Sequence, residues 1–522
     1  MNRPPFSSAS PLSEPINGPQ PFSFLWGVAT SGYQSEGGFN GTDQPQNNWT
    51  WAEERGVVAR SGSSVDFWNK AEEDIERAAA LGINSFRLGI EWSRVQPCLT
   101  RPPELPPNPI QAPPFDETAL ERYGAILLKC RQLKIEPIIT LHHFVHPAWL
   151  GLDPWLSREI FPHFDRYVEK TILFLMDYFS RHQAEPPRIY ITINEPNMLA
   201  FNHYAWLFFP SGNHRGLSPT ATCLAHLLEA HSHAYLLIHK LYAQRLLPRP
   251  MVSFNNYCSD LYWGDQAWQE FFIYGAKHKT RLKLFRKLKK RADKFDATLR
   301  DSPMEIHRGL RKILDRALKT FHYPFGEKLM FHPAFDSLID LLLRHDRPLL
   351  DFLAYDYYDP FSAHIFRLPY SQDLEPRKRT WQDLLMESIT SKWWEWRAVP
   401  QGMLFYSRWL AQHQFPQLIA ENGMAYRLDP QSQELHRRDG LRRADFLSEH
   451  LQVVDQIRSE GIPLIGYCYW SLFDNYEWGT YTPRFGLYTI DYSDPKLRRD
   501  PMNTFGENIS EIYANHIQQQ NL

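Results

Sequence analysis

Eight short apolar runs recur along the 522 residues, separated by segments with helical spacing, and this alternation limits the fold more than any other feature. The runs lie at 24–29, 84–89, 136–141, 189–194, 251–255, 351–358, 417–420 and 464–470. Between them, apolar residues repeat at three and four over 71–81, 120–133, 166–178, 224–241 and 446–457, with Gly82 and Gly461 closing two of the segments. Strands that alternate with helices pair in parallel, because only a crossover helix returns the chain to the same sheet end. Eight such units fit a closed (β/α)8 TIM barrel, in which function gathers at the C-terminal strand ends.

Two strand ends carry the same design. The fourth run ends in Thr192-Ile193-Asn194-Glu195-Pro196 and the seventh in Leu418-Ile419-Ala420-Glu421-Asn422-Gly423. Each is an apolar strand, then a Glu, then a turn-former. Either alone reads more readily as a loop charge. Together, two carboxylates on separate strand ends are what glycoside cleavage needs: one protonates the leaving oxygen and one attacks the sugar. Other polar groups follow the same geometry. Arg87 lies in the second run and is able to face inward, and Gln34 lies in a polar, Gly-rich loop over 30–38 after the first.

Three His in five residues, His142, His143 and His146, suggest a metal, but no acidic or Cys partner is near, and adjacent residues on a strand point to opposite faces. A substrate-facing or core role is preferred, and no metal or cofactor is expected. The 17 Trp and 14% aromatic content suit either a large core or stacking on pyranose faces. A net charge of −2 gives no global pull toward nucleic acid or membrane. Five scattered Cys without a CxxC pair point to reduced thiols and a cytoplasmic protein. Residues 1–20 lack an apolar core segment and read as a flexible tail, and no run approaches a spanning helix.

Domain organisation follows: a tail over 1–20, a single barrel over 21–500 and a C-terminal helix or tail over 501–522. A proline-rich segment from 97 to 114 is read as stiff and extended. Almost a hundred residues separate runs five and six, where one helix would do, so 260–345 is read as a helical insertion. Within it, Lys277 to Arg291 holds nine Lys or Arg and no acid. Leu282, Phe285, Leu288, Ala292, Phe295 and Leu299 form an apolar stripe on that helix. It reads as a solvated helix packed on the barrel, or as a peripheral surface for anionic membrane. Nucleic-acid binding has no motif beyond charge.

These residues resemble glycoside hydrolase family 1, the β-glucosidase family, from Phe24 to about Tyr492. Phe24-Leu25-Trp26-Gly27-Val28-Ala29-Thr30-Ser31-Gly32-Tyr33-Gln34 is similar to its opening motif. Thr192–Pro196 is similar to its acid/base motif, Glu421-Asn422-Gly423 to its nucleophile motif, and the stretch from Trp470 to Trp478 to its sugar-binding motif. The resemblance implies a retaining β-glycosidase acting on β-glucosides or β-galactosides in carbohydrate metabolism. Glu421 is then the nucleophile and Glu195 the acid/base. Arg87 and Tyr358 match positions beside the nucleophile, and Asn194 the residue on the sugar 2-hydroxyl. Gln34, His143, Trp470, Glu477 and Trp478 match the rest of the sugar site. Glu477 suits a neutral sugar and opposes a 6-phosphate. Four departures stand out: Asp356 where the family has Asn, Phe144 where it often has Trp, and Val145 and His146. Two other readings use the same barrel, a transglycosylase with an alcohol or lipid-linked acceptor, and a non-catalytic sugar-binding protein.

Overall fold

The eight runs close into a barrel. The computed structural model describes residues 23–99, 110–304 except 207, 213 and 279, 324–359, 397–428 and 439–520, with isolated positions 381, 385, 434, 435 and 437. The tail expected over 1–20 lies outside these residues, as do most of the proline-rich stretch, Lys279 and the middle of the long interval. The barrel strands are β1 (Leu25–Ala29), β2 (Ser85–Gly89), β3 (Glu136–Thr140), β4 (Ile189–Asn194), β5 (Met251–Tyr257), β6 (Leu353–Tyr357), β7 (Gln417–Asn422) and β8 (Leu464–Trp470). They pair in parallel in the order β1-β8-β7-β6-β5-β4-β3-β2 and close on themselves. Helices cover the outside, so almost every strand residue is buried, and the runs are apolar on both faces.

Two apolar layers result. Ala29, Ile138, Ile189, Ile191, Ala354, Leu418, Ala420 and Cys468 fill the lumen. Phe86, Leu88, Ile139, Tyr190, Ile419, Tyr467 and Tyr469 belong to the larger core beneath the helices. The alternation follows from the period of two along a strand.

The period breaks on the two strands that carry the paired carboxylates. Between Ile191 and Asn194, β4 has one residue more than β5 over the same span, where Ser253 and Asn255 are the partners. The bulge leaves Ile193 in the outer core and turns Asn194 into the lumen. Similarly, β7 advances from Ile419 to Asn422 while β8 advances from Tyr467 to Tyr469, and Glu421 comes opposite Asp356 of β6. An unbroken period would send Glu421 outward with Ile419.

Helix boundaries differ from the sequence reading at two proline-bearing starts. The helix expected over 166–178 spans Ile160–Arg181, and the one expected over 224–241 spans Leu217–Gln244. Pro162 and Pro219 fall in their first turns, where the missing N–H has no intrahelical acceptor to lose. The loop expected at 30–38 holds one helical turn, Gly32–Ser35.

The basic segment forms the helix Arg281–Arg300, with the Thr280 hydroxyl accepting from the Lys283 N–H at 3.3 Å. Its apolar stripe is used internally. Phe285, Leu288, Ala292, Phe295 and Leu299 are buried, and only Leu282 of the expected stripe is 48% exposed. Phe295 packs on Phe405 and Trp409, and Arg291 is buried against Glu270 and the Trp409 ring. Lys283, Arg286, Lys289 and Lys290 remain on the outer face. Among the described residues no helix is long and apolar enough to cross a membrane.

Candidate active site

Glu195 sits at the end of β4, where the chain turns into the helix Pro196–Tyr204. Pro196 opens that helix, and a residue before proline is kept out of the right-handed helical region. Glu195 is left-handed, at φ 38° and ψ 63°, a conformation that costs about 1–2 kcal/mol for a residue with a Cβ. Its backbone N–H is tied to the Asn255 carbonyl at 3.1 Å, which holds the turn.

Opposite it, Glu421 is held by two donors. Arg87 Nη1 donates to Oε1 in a buried ion pair, and the Tyr358 hydroxyl donates to Oε2 at 2.8 Å. Arg87 is itself fully buried and fixed on all sides. Its Nε donates to Thr140 Oγ1 at 3.1 Å, its Nη1 also to the Ala420 carbonyl at 3.2 Å, and its Nη2 to Asn194 Oδ1. Glu195, Asp356 and Glu421 bring carboxylate oxygens within 4.8 Å of one another.

Electrostatics separate the two glutamates. Burial raises Glu421, while the Arg87 charge and the Tyr358 hydrogen bond draw it back. Burial pushes Glu195 up to about 8, with the negative charge of Glu421 adding to it. Glu421 is therefore the carboxylate that keeps its charge, and Glu195 the one that keeps a proton near neutrality.

A second cluster lies beside this pair. Glu477 accepts from Trp470 Nε1 at 3.0 Å and from Gln34 Nε2 at 3.1 Å, and Ser31 Oγ donates to Gln34 Oε1 at 2.7 Å. Burial pushes Glu477 up to about 8. His143 lies nearly parallel to two indoles, with ring centroids 6.0 Å from Trp470 and 5.7 Å from Trp478. Burial and the Arg87 charge hold its imidazole neutral. Adjacent His142 turns the other way, against Trp155 and Phe164. Trp478 also meets Trp49, Phe144 and Phe209 at 4.9, 5.1 and 5.6 Å, so Phe144 joins the aromatic wall.

The ten residues singled out from the sequence thus fall into one cluster at the C-terminal side of the barrel, buried except for the half-buried Tyr358 and Trp478. A chain of amides and acids that opposes a cation-held carboxylate to a protonated one can protonate a leaving oxygen and attack from the other side.

The model of the family described as "Glycosyl hydrolase family 1" matches residues 17–315 and 335–516. The chain belongs to glycosyl hydrolase family 1. As a member it is an O-glycosyl hydrolase acting on a small-molecule glycoside. Among relatives in the family, Beta-glucosidase A of Thermotoga maritima is 25% identical over 91% of this chain and 94% of its own. The 6-phospho-beta-galactosidase 1 of Streptococcus pneumoniae is 25% identical over 91% and 95%, and the human Cytosolic beta-glucosidase 24% over 95% and 99%. A solved structure of the Thermotoga maritima beta-glucosidase in complex with castanospermine superposes with a TM-score of 0.62, at 20% identity over 96% of this chain and 98% of that one. That likeness is one of fold, the family's (β/α)8 barrel.

Several members of the cluster carry no strong local signal in the sequence. Asn255 lies within β5 and donates to both Asn194 Oδ1 (2.8 Å) and Asp356 Oδ2. Its place at the end of the apolar run 251–255 is the only hint in the sequence. Asp474 accepts from the Gly486 N–H at 2.9 Å and the Thr489 hydroxyl at 2.7 Å, bracing the loop that carries Glu477. Trp49, in the helix Asn48–Glu54, and Phe209, in a loop, come from distant parts of the chain, and nothing near them marks them as lining a site.

Proposed function

We propose that this family 1 hydrolase is a retaining β-glycosidase of unphosphorylated gluco- or galacto-configured sugars, with Glu421 as nucleophile and Glu195 as acid/base. The observation that carries the reading is the unequal treatment of two adjacent buried carboxyls: Arg87 and Tyr358 bond Glu421, and Glu195 has no direct cationic partner. Their oxygens lie within 4.8 Å, which suits the roughly 5–5.5 Å spacing of retaining enzymes and leaves no room for the water of inverting ones, at about 6.5–9.5 Å.

Glu195 gives its proton to the leaving oxygen as Glu421 attacks the anomeric carbon. The covalent glycosyl-enzyme removes the Glu421 charge, so Glu195, now ionised, takes a proton from the incoming water. Asn194, with Oδ1 committed to Arg87, has Nδ2 left to donate to the sugar 2-hydroxyl. Gln34, His143, Trp470, Glu477 and Trp478 bind the remaining hydroxyls and the ring face. Glu477 is buried, accepts from Trp470 and Gln34, and lies near the charges of Glu421 and Asp474. A 6-phosphate dianion placed there would be opposed by these acids and poorly solvated.

Two further proposals accompany this one. The five Cys are unbridged, which supports a reducing, cytoplasmic setting. Contact of the Arg281–Arg300 helix with anionic membrane is proposed as mainly electrostatic, since its apolar face is buried apart from Leu282.

Mass spectrometry with an activated 2-deoxy-2-fluoro-β-glucoside tests the catalytic reading. The expected result is a glycosyl adduct on a peptide containing Glu421. An adduct on another carboxyl, or none with either the gluco or the galacto probe, would sink it.

A further inference from the structure

Asp356 is a third buried carboxyl beside the proposed catalytic pair, and its hydrogen-bond partners determine which of its oxygens bears a proton. Arg87 can only donate, so the Asn194 atom it meets must be the carbonyl oxygen. Asn255 approaches that same oxygen at 2.8 Å and must therefore present its Nδ2. The second hydrogen of Nδ2 goes to Asp356 Oδ2. That relay, begun by a guanidinium, makes Oδ2 an acceptor. Oδ1 is buried and receives no N–H or hydroxyl among the described residues. It is the Asp356 oxygen left free for the Glu195 carboxyl, and the two carboxyls bring oxygens within 4.8 Å of each other.

The charge count points the same way. Asp356 is faced by Glu195 of the β4 end, Glu421 of β7, Arg87 of β2, Tyr358 just after β6, Cys258 after β5 and Cys468 of β8. Burial holds the tyrosine and both thiols neutral. One guanidinium then faces three carboxyls, and it is bonded to Glu421. A second and a third buried anion would have no compensation.

We propose that Asp356 is a neutral carboxylic acid that donates its Oδ1–H to Glu195, acting as a positioning residue for the acid/base. This rests on the assignment of Glu195 made above. Before turnover, both carboxyls hold a proton. Once Glu195 has passed its own proton to the leaving oxygen, the Asp356 O–H bonds the new carboxylate and orients it toward water. No proton leaves Asp356 in the cycle, so the balance of the reaction is unchanged. A protonated Asp thereby does the work of an amide donor, with a stronger hydrogen bond to the anion.

The pH dependence of kcat/KM on an aryl β-glycoside is the test. Loss of a donor to the Glu195 carboxylate makes Glu195 hold its proton more tightly. The alkaline limb should move upward from wild type to Asp356→Asn, and further in Asp356→Leu, by about 0.5–1 pH unit per step. An ionised Asp356 predicts the reverse, because Asp356→Asn then removes a negative charge beside Glu195 and the limb falls. A downward shift or an unmoved limb overturns the proposal, and Asp356→Asn alone decides the direction if the Leu variant does not fold.

Infrared spectroscopy on protein with isotope-labelled aspartate reads the same proton without turnover. The difference between wild type and Asp356→Asn at neutral pH should contain the C=O stretch of a protonated carboxylic acid. A carboxylate band in its place rejects the neutral acid. An alkaline limb that persists in Glu195→Gln would instead reject Glu195 as acid/base, whatever the infrared band shows.

Discussion

Arg87 reaches across the barrel lumen to Glu421, joining β2 and β7, strands that share no hydrogen bonds. The pair is buried on both sides, and the same guanidinium orients Asn194. One cation therefore sets both the charge of the proposed nucleophile and the direction of the amides around it.

Replacing Arg87 by Met leaves the Glu421 carboxylate buried without its cation. We expect a loss of about 3–5 kcal/mol in stability near neutral pH, measured by urea unfolding. The folded-state proton affinity of Glu421, already raised by burial, rises further in the variant. Stability linked to that raised affinity is present at low pH and lost as pH rises through the folded value. The deficit should thus shrink on acidification, and a deficit that grows would contradict this account.

Tyr358→Phe removes the 2.8 Å hydrogen bond to Glu421 Oε2 and nothing of the ring's bulk. A hydrogen bond to a charged group contributes roughly 1.5–3 kcal/mol, which corresponds to about 1–2 pH units. Attack needs the ionised form, so activity climbs as pH rises through the Glu421 value. The acid limb of kcat/KM should move up by that amount while the alkaline limb stays in place.

Glu195, pushed up to about 8 by burial and by Glu421, must in the proposed mechanism be protonated for the first step. Activity should therefore fall as pH rises through that value. Glu195→Gln should lose about 10²–10⁴-fold with a poor leaving group and much less with an activated one. Azide added to Glu195→Ala should give the β-glycosyl azide, whereas Glu421→Ala should give the α product. Nuclear magnetic resonance of the products distinguishes them, and the reverse pattern would exchange the two roles.

The outer face of the Arg281–Arg300 helix offers Lys283, Arg286, Lys289 and Lys290, with the half-exposed Leu282 at its start. Flotation with anionic vesicles should show binding at low salt that disappears near physiological ionic strength, as the Debye length shortens to about 8 Å. Salt-resistant binding would instead point to an apolar contact, for which the exposed Leu282 is the candidate, and would overturn a mainly electrostatic mode. Charge reversal at those four positions should abolish the low-salt binding.

Much of this architecture is legible in the chain. The strand runs are apolar on both faces because helices cover the barrel, so they stand out against their flanks. Pro196 and Gly423 mark where β4 and β7 end, and Arg87 faces the lumen by simple alternation from Phe86 and Leu88. Other features are not readable. The apolar stripe from Leu282 to Leu299 has the same spacing whether it covers a barrel or a lipid surface, and only its packing on Phe405 and Trp409 separates the two. The aromatic wall of Trp478 draws Trp49, Phe144 and Phe209 from three separate segments of the chain, and no local pattern joins them.

The sequence by itself determined the barrel, because eight doubly buried strands with intervening helices have few other ways to bury both faces. It also determined which carboxyls sit at strand ends. Only the tertiary structure decided which way they point and what charge they carry. Side chains alternate with a period of two, so a one-residue bulge in β7 turns Glu421 from the helical layer into the lumen, and one in β4 does the same for Asn194. Proton affinities depend on burial and on the nearest charge, and Arg87 lies 334 residues from the carboxylate it holds.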